Sequence, residues 1–375
     1  MLGGGRTDTM MRERALLPSL DFNFLGTALV ISAIGCLLIY SATYFGDPTL
    51  GIFRKQLLWV AIGLVLMAIF TLVDYHVFFD VAPILYGVGL VLLVYLLVMG
   101  KTTAHVKSWI HIAGFQFQPS EFMKIFTALM LARFFDSNDR AYLNFRSFLL
   151  AMGIIGLPVG LIIVQPDFGT AATFAPLFGV AMFFGGIRWR IWVAMILIAV
   201  IALPLGWFFF LKPYQKERVM IFLNPERDPL GSGYQVTQAK IAIGSGGIHG
   251  KGFKQGTQAK LEFLPARHTD FIFAVLGEEW GFIGIGIVLS LYLFLILQAL
   301  TFAKHARDRG GTFLVICLIM FFVFHILINV SMQIGVLPTT GIPLPMISYG
   351  GSSTMMFFIA IGLILNVDMR RFVNA

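Results

Sequence analysis

The chain has 375 residues, 58% of them hydrophobic and only 12% charged, with a mean hydropathy of +0.85. A soluble domain carries about 25% charged residues, so this composition excludes one and indicates a polytopic membrane protein. The net charge of +8 reads as membrane topology and not as affinity for nucleic acid.

Residues 1–21 hold Arg6, Arg12 and Arg14 with no cleavage site before the first apolar run, so no removable signal peptide is expected. Runs of about 20 apolar residues can cross a bilayer. Seven lie within residues 22–211, at roughly 22–45, 53–73, 77–99, 119–136, 147–165, 170–187 and 189–211. The fourth is short and the fifth is interrupted by Pro158. Residues 212–268 break the pattern, with nine basic residues and many glycines. The part up to Gly244 suits an amphipathic helix on the membrane surface, and the glycine-rich run after Lys240 suits short helices and turns. Three more spans, at 270–303, 312–336 and 345–366, fall within residues 269–367, and 368–375 form a C-terminal tail. The expected fold is an all-α polytopic membrane protein, with about ten transmembrane helices and one large extracytoplasmic loop. Cys36 and Cys317 both lie inside spans, where packing is the expected role.

Ten spans with the N-terminus inside put thirteen basic residues on the cytoplasmic side and five on the short outer loops and outer helix ends. That bias predicts both termini in the cytoplasm and the long loop outside. Parity then gathers the unusual polar residues at the outer face: Arg54, Trp109, Glu121, Lys124, Asp167, Asp270 and the run Leu337–Gly351.

Asp270, in LEFLPARHTDFIFAVLGEEWG, leads the candidates for chemistry. Ionisable residues at a membrane helix are rare and mark functional sites by default. The bland alternative is a helix cap, since Thr269 and Asp270 both suit that position. His268 lies beside it. On one continuous helix Glu278 would sit about 80° from Asp270 and share its cavity, while Glu279 would face another helix. Glu121 and Lys124 are spaced to pair as ions, although a lysine facing a cavity also suits a phosphate. Arg54 reads as an interfacial anchor or a phosphate ligand, Asp167 as a turn residue or a site residue, and Arg218 as a contact for an anionic headgroup or for the lipid surface alone. GSGGIHGKG at 244–252 fails as a phosphate loop, because Gly252 stands where Ser or Thr is needed. HExxH, CxxC and GxSxG are all absent, as is the SxxK…KTG pattern of a penicillin-sensitive transpeptidase.

The stretches QPSEFMK at 118–124, QPDFGT at 165–170, RVMIFLNPERDPLGSGYQVTQAKIAIGSGGIHGKGF at 218–253, GTQAKLEFLPARHTDFIFAVLGEEWG at 256–281 and GIPLPMISYGGSS at 341–353 carry a resemblance. In them the chain closely resembles the SEDS family (shape, elongation, division and sporulation), and its rod-shape branch, RodA, more than its division branch. The resemblance implies a peptidoglycan glycosyltransferase of the bacterial cytoplasmic (inner) membrane. It would polymerise lipid II at the outer face during elongation, beside a class B penicillin-binding protein that supplies transpeptidation, other elongation proteins and the membrane lipids. It also implies that Asp270 is catalytic, and that Arg54, Lys124, Asp167 and, less securely aligned, Trp109 matter to function. Glu121, Arg218, His268, Glu278 and Ser348 complete the candidate substrate contacts. Asp270 is expected to act as general base on the sugar hydroxyl. The departing pyrophosphate would be neutralised by Arg54, Lys124, Arg218 or a divalent cation, Mg or Mn, at Asp167. The rival functions are a lipid II flippase, which the depth of Glu278, Glu279 and Asn329 keeps open, and a non-catalytic scaffold.

Overall fold

The computed structural model describes residues 20–44, 50–100, 108–112, 115–138, 143–186, 213–224, 228, 231–261 and 263–371, with residues 190, 193, 197 and 200. Seven of its helices are long and apolar enough to cross a membrane. They are α1 (Phe22–Thr43), α2 (Gly51–Leu72), α3 (Tyr75–Met99), α5 (Phe145–Val164), α11 (Ile272–His305), α12 (Arg309–Gln333) and α13 (Gly351–Met369). Pro83 and Pro158 lie inside α3 and α5 without ending them, as membrane helices permit when neighbours satisfy the freed carbonyl.

The other three expected spans stand outside this set. The fourth forms α4 (Pro119–Asp136), but Glu121, Lys124, Arg133 and Asp136 leave it outside the apolar set. The sixth is two short helices, α6 (Phe168–Ala172) and α7 (Ala175–Phe184), separated by a turn at Thr173 and Phe174. Pro176, in the first turn of α7, has no N–H to continue a helix from α6. Most of the seventh lies outside the described residues. Residues 190, 193, 197 and 200 are helical, and Val193, Leu197 and Val200 are exposed.

The long loop holds α8 (Pro213–Leu223), α9 (Ser232–Gly246) and α10 (Thr257–Lys260). The smaller loop before α4 folds as an antiparallel ribbon, β1 (Ile110–Ile112) on β2 (Phe115–Phe117), which the periodicity of so short a segment did not announce. The all-α expectation otherwise holds, and the chain is a multi-pass membrane protein.

Helix α13 is the axis of the bundle. It buries 94% of its apolar window, against 22% for α2, α3 and α5, whose remaining surface suits lipid. Close approach explains how α2 packs on it. A side chain at Gly362 would strike the backbone of Met67, and one at Gly63 would strike the Phe358 ring.

Candidate active site

The first turn of α13 gathers the elements that carry the candidate residues. Gln118, just before α4, donates its backbone N–H to Ser352 Oγ at 2.9 Å. Gln56, on the first turns of α2, is buried and reaches Thr354 Oγ1 at 3.3 Å. Immediately before α13, Tyr349 donates its N–H to the His268 carbonyl at 2.9 Å. Ser348 Oγ donates to the Thr269 carbonyl at 2.7 Å and accepts the Leu344 N–H at 2.8 Å. Ser348 therefore ties the 268–270 turn to the segment before α13.

These bonds fix the turn that presents Asp270. The residue lies outside α11, whose N-cap is Phe271 with no side-chain capping bond. Asp270 and Glu278 therefore do not lie on one continuous helix, and the helical-wheel relation between them does not hold. The Asp270 carbonyl accepts from Asn329 Nδ2 at 3.0 Å. A methyl group at Gly341 would stand 3.6 Å from Asp270 Oδ2, so the carboxylate lies against the 341–342 segment. His268 stacks edge-on against Tyr349 at 5.7 Å. Burial holds its imidazole below its ordinary pKa, and the neighbouring Arg267 charge adds to the effect.

Asp167 lies in the same neighbourhood. It caps α6 through the Thr170 N–H at 3.1 Å, and its other oxygen accepts from Ser108 Oγ at 2.7 Å and Gln118 Nε2 at 3.4 Å. Two residues on, Gly169 packs against the Thr340 carbonyl, where a side chain would come within 2.4 Å. The Asp167 and Asp270 turns thus border the same short segment, Thr340–Gly341. Trp109 is half-buried, next to Ser108 at the foot of the ribbon. Arg54 is exposed in the first turn of α2. Arg218 lies on α8, and its side chain is outside the described residues.

Glu121 and Lys124 form the expected ion pair, at 2.8 Å. Lys124 is completely buried and also bonds His325 Nε2 at 3.1 Å. His325 Nδ1 faces the Phe321 carbonyl at 2.8 Å and must donate there, which leaves Nε2 as acceptor for the lysine. In this arrangement the lysine charge is compensated inside the bundle instead of being presented to a phosphate.

Glu278 is fully buried and holds the long loop. It accepts from Lys251 Nζ (2.7 Å), the Thr257 N–H (2.8 Å), Thr257 Oγ1 (3.0 Å) and the Gln258 N–H (3.0 Å). Glu279 accepts from Ser41 of α1. Just beyond, Gly281 has φ 65° and ψ −163°, which breaks α11. The glycine-rich loop fills the break. Phe282 and Ile283 donate to the carbonyls of Gly247 and Ile248, while Lys251 and Gly252 donate to those of Glu278 and Glu279. A Cβ at Gly281 would lie 2.3 Å from Gly250 N, and one at Gly250 2.2 Å from the Glu279 carbonyl. The glycines that imitate a phosphate loop therefore let two backbones pair inside a broken membrane helix.

The oxygens of Asp167 are already engaged, and among the described residues no group of three His, Cys, Asp or Glu side chains converges to hold a metal. The donor set does not fit a resident divalent cation there. Sequence reasoning missed Gln333 and His325 as partners of the site. Both are polar groups one face round from apolar neighbours on α12, a signal available in principle.

Residues 21–372 match the family of cell cycle proteins FtsW/RodA/SpoVE. The chain belongs to this family. It is 39% identical over 339 residues to the peptidoglycan glycosyltransferase MrdB of Escherichia coli K12, covering 89% of this chain and 91% of that protein. It is 34% identical to the peptidoglycan glycosyltransferase RodA of Treponema pallidum, covering 94% and 98%. Among solved structures, it superposes with a TM-score of 0.81 and 30% identity on a chain of a peptidoglycan synthase complex that coordinates polymerization and crosslinking. The score is 0.71, with 27% identity, for RodA of Thermus thermophilus. Each match covers 94% of this chain and 98% of the other, so the family likeness extends over the whole bundle.

Proposed function

We propose that this chain, a glycosyltransferase of the family, polymerises lipid II into glycan strands with Asp270 as general base. The observation that carries this reading is the Asp270 turn. A carboxylate stands at the entrance to α11, against Gly341, and rests on backbone pinned by His268, Thr269 and its own carbonyl. A hydroxyl is a weak nucleophile near neutral pH, and a base placed within hydrogen-bond reach contributes about 10²–10⁴-fold. Asp270 would take the proton of the acceptor 4-hydroxyl as its oxygen attacks the anomeric carbon of the donor. The bond to the polyprenyl pyrophosphate breaks and the pyrophosphate leaves with the electron pair. One base suffices for such an inverting displacement. Arg54, exposed near the start of α2, would offset the charge on the leaving group.

The site end of the bundle would face outward across the inner membrane, with both termini in the cytoplasm, in keeping with the distribution of basic residues. A class B penicillin-binding protein is the expected partner, since this chain lacks the transpeptidase motifs and resembles a component of a complex that couples polymerization to crosslinking. Cell elongation is the expected setting.

Glu278, Glu279 and Asn329, the deep polar residues that favoured a flippase, each hold a loop or a neighbouring helix. Incubating the purified chain with lipid II in detergent tests the reading. Polymer should form without a second compartment and should vanish with Asp270→Asn. Wild-type amounts of polymer from that variant would end the proposal.

A further inference from the structure

Two side-chain amides one turn apart on α12 connect three parts of the site, and hydrogen-bond chemistry leaves one way to orient them. The Ala274 N–H, in the first turn of α11, also donates to the Phe271 carbonyl at 3.1 Å; an N–H can only donate, so the oxygen of Gln333 must face it, at 2.7 Å. The Gln333 amide nitrogen is then left to face Asn329 Oδ1, at 2.6 Å. That in turn directs Asn329 Nδ2 at two carbonyls, Asp270 at 3.0 Å and Ile342 at 2.8 Å. Both side chains are completely buried, and every donor and acceptor in the relay is used.

This arrangement does more than stitch helices together. The Asp270 carbonyl belongs to the residue whose carboxylate lies against Gly341, and the Ile342 carbonyl belongs to the segment that forms the facing wall. One nitrogen of Asn329 therefore holds both sides of the carboxylate's seat. Gln333 sets the start of the helix that follows Asp270 and fixes the orientation of Asn329. Gly341 has φ +71°, a conformation other residues rarely adopt, so the wall is also shaped by its own backbone.

We propose that Asn329 and Gln333 are positioning residues for glycan polymerisation, a relay that sets the Asp270 carboxylate at its working distance from the acceptor hydroxyl. The inference rests on the reading of Asp270 as base. A displacement of about 1 Å in a catalytic group can cost on the order of 10²-fold in rate, while substrate held elsewhere binds as before.

The test uses the purified full-length chain with lipid II, with rates normalised to folded protein by thermal melting. Asn329→Ala should lower kcat by about 10–100-fold and leave KM for lipid II within about threefold. Gln333→Glu keeps an oxygen for the Ala274 N–H and should retain more activity than Gln333→Leu, which keeps none. Should Asn329→Ala fail to fold, this pair carries the test, since the glutamate preserves the shape of the site. Adding Asn329→Ala to Asp270→Asn should cost nothing further in the residual rate, because both changes act through one carboxylate. The positioning role is overturned if Asn329→Ala, or Gln333→Leu where the alanine variant does not fold, keeps wild-type kcat. A matching rise in KM overturns it too, as does an equal loss in both backgrounds. Failure of the base reading shows separately, as full polymerisation by Asp270→Asn alone.

Discussion

The two ends of the bundle treat charge in opposite ways. At the end away from the site, ionisable side chains close helix termini. Arg370 donates to the carbonyls of Thr71 and Leu72 at the end of α2 and pairs with Asp74 at 3.2 Å. Arg309 donates to the carbonyls of Asn138 and Phe184 and Asp308 caps α12, while Arg133 serves the carbonyls of Asp80 and of Phe79, four residues before Pro83, inside α3. At the site end Asp167 does similar work, whereas Asp270 stands one residue ahead of the N-cap position of α11 with its carboxylate against Gly341. A charged residue at a helix boundary is thus uninformative until its relation to the orphan backbone groups is known. Where it closes a helix end, stability accounts for it.

That contrast can be broken by substitutions at the two ends. The largest effect is expected from Asp270→Asn, which should lower glycan polymerisation by about 10²–10⁴-fold while the melting temperature in detergent stays near that of the wild type. A melting temperature that collapsed with activity would make Asp270 structural, like Arg370.

Gly281→Ala should disturb both quantities. The left-handed backbone costs about 1–3 kcal/mol for a residue with a Cβ, before the 2.3 Å clash with Gly250 is counted. Gly153→Ala is the control, since a Cβ there meets nothing within 4 Å, and its melting temperature should barely move. Equal melting temperatures for the two variants would remove the broken-helix clamp from the account.

Arg370→Met is the mirror image of Asp270→Asn. It removes the donor that serves the Thr71 and Leu72 carbonyls and Asp74 Oδ2, and should cost about 1–3 kcal/mol in unfolding free energy. The kcat of the folded fraction should be unchanged. A selective loss of kcat would mean that the far end also reaches the chemistry.

The smallest effect concerns pH. Folding lowers the pKa of His268 from its model-compound value of 6.5, so the unfolded chain binds the proton more readily. Stability should therefore be full above that value and decline as pH falls through it toward the folded pKa. Thermal melts at about pH 7.5 and 5.5 should show a smaller acid loss in His268→Gln than in the wild type. Equal losses would show that another group governs the acid limb.

Much of the architecture was legible in the residues. Apolar length placed seven of the spans, because a bilayer demands about 20 apolar residues whatever the neighbours. The pairing of Glu121 with Lys124 followed from their spacing on one helix face. The failure of 244–252 as a phosphate loop was readable from Gly252, but its true use was not, since the break at Gly281 that it fills lies some thirty residues away. The division of the sixth span was missed because hydropathy averages over the turn before Pro176.

Sequence alone determined that this is a multi-pass helical membrane protein of a recognisable family and that Asp270 stands at the mouth of a helix. Both follow from local composition and from motifs contiguous in the chain. Tertiary structure alone decided what each carboxylate meets. It assigned Glu278 to the loop, Glu279 to Ser41 and Asp167 to Ser108 and Gln118, and it set Asp270 between the amide relay of α12 and Gly341. Hydrogen-bond partners across 20 to 240 positions of chain leave no mark in local pattern, and for a buried polar group those partners decide what it can do.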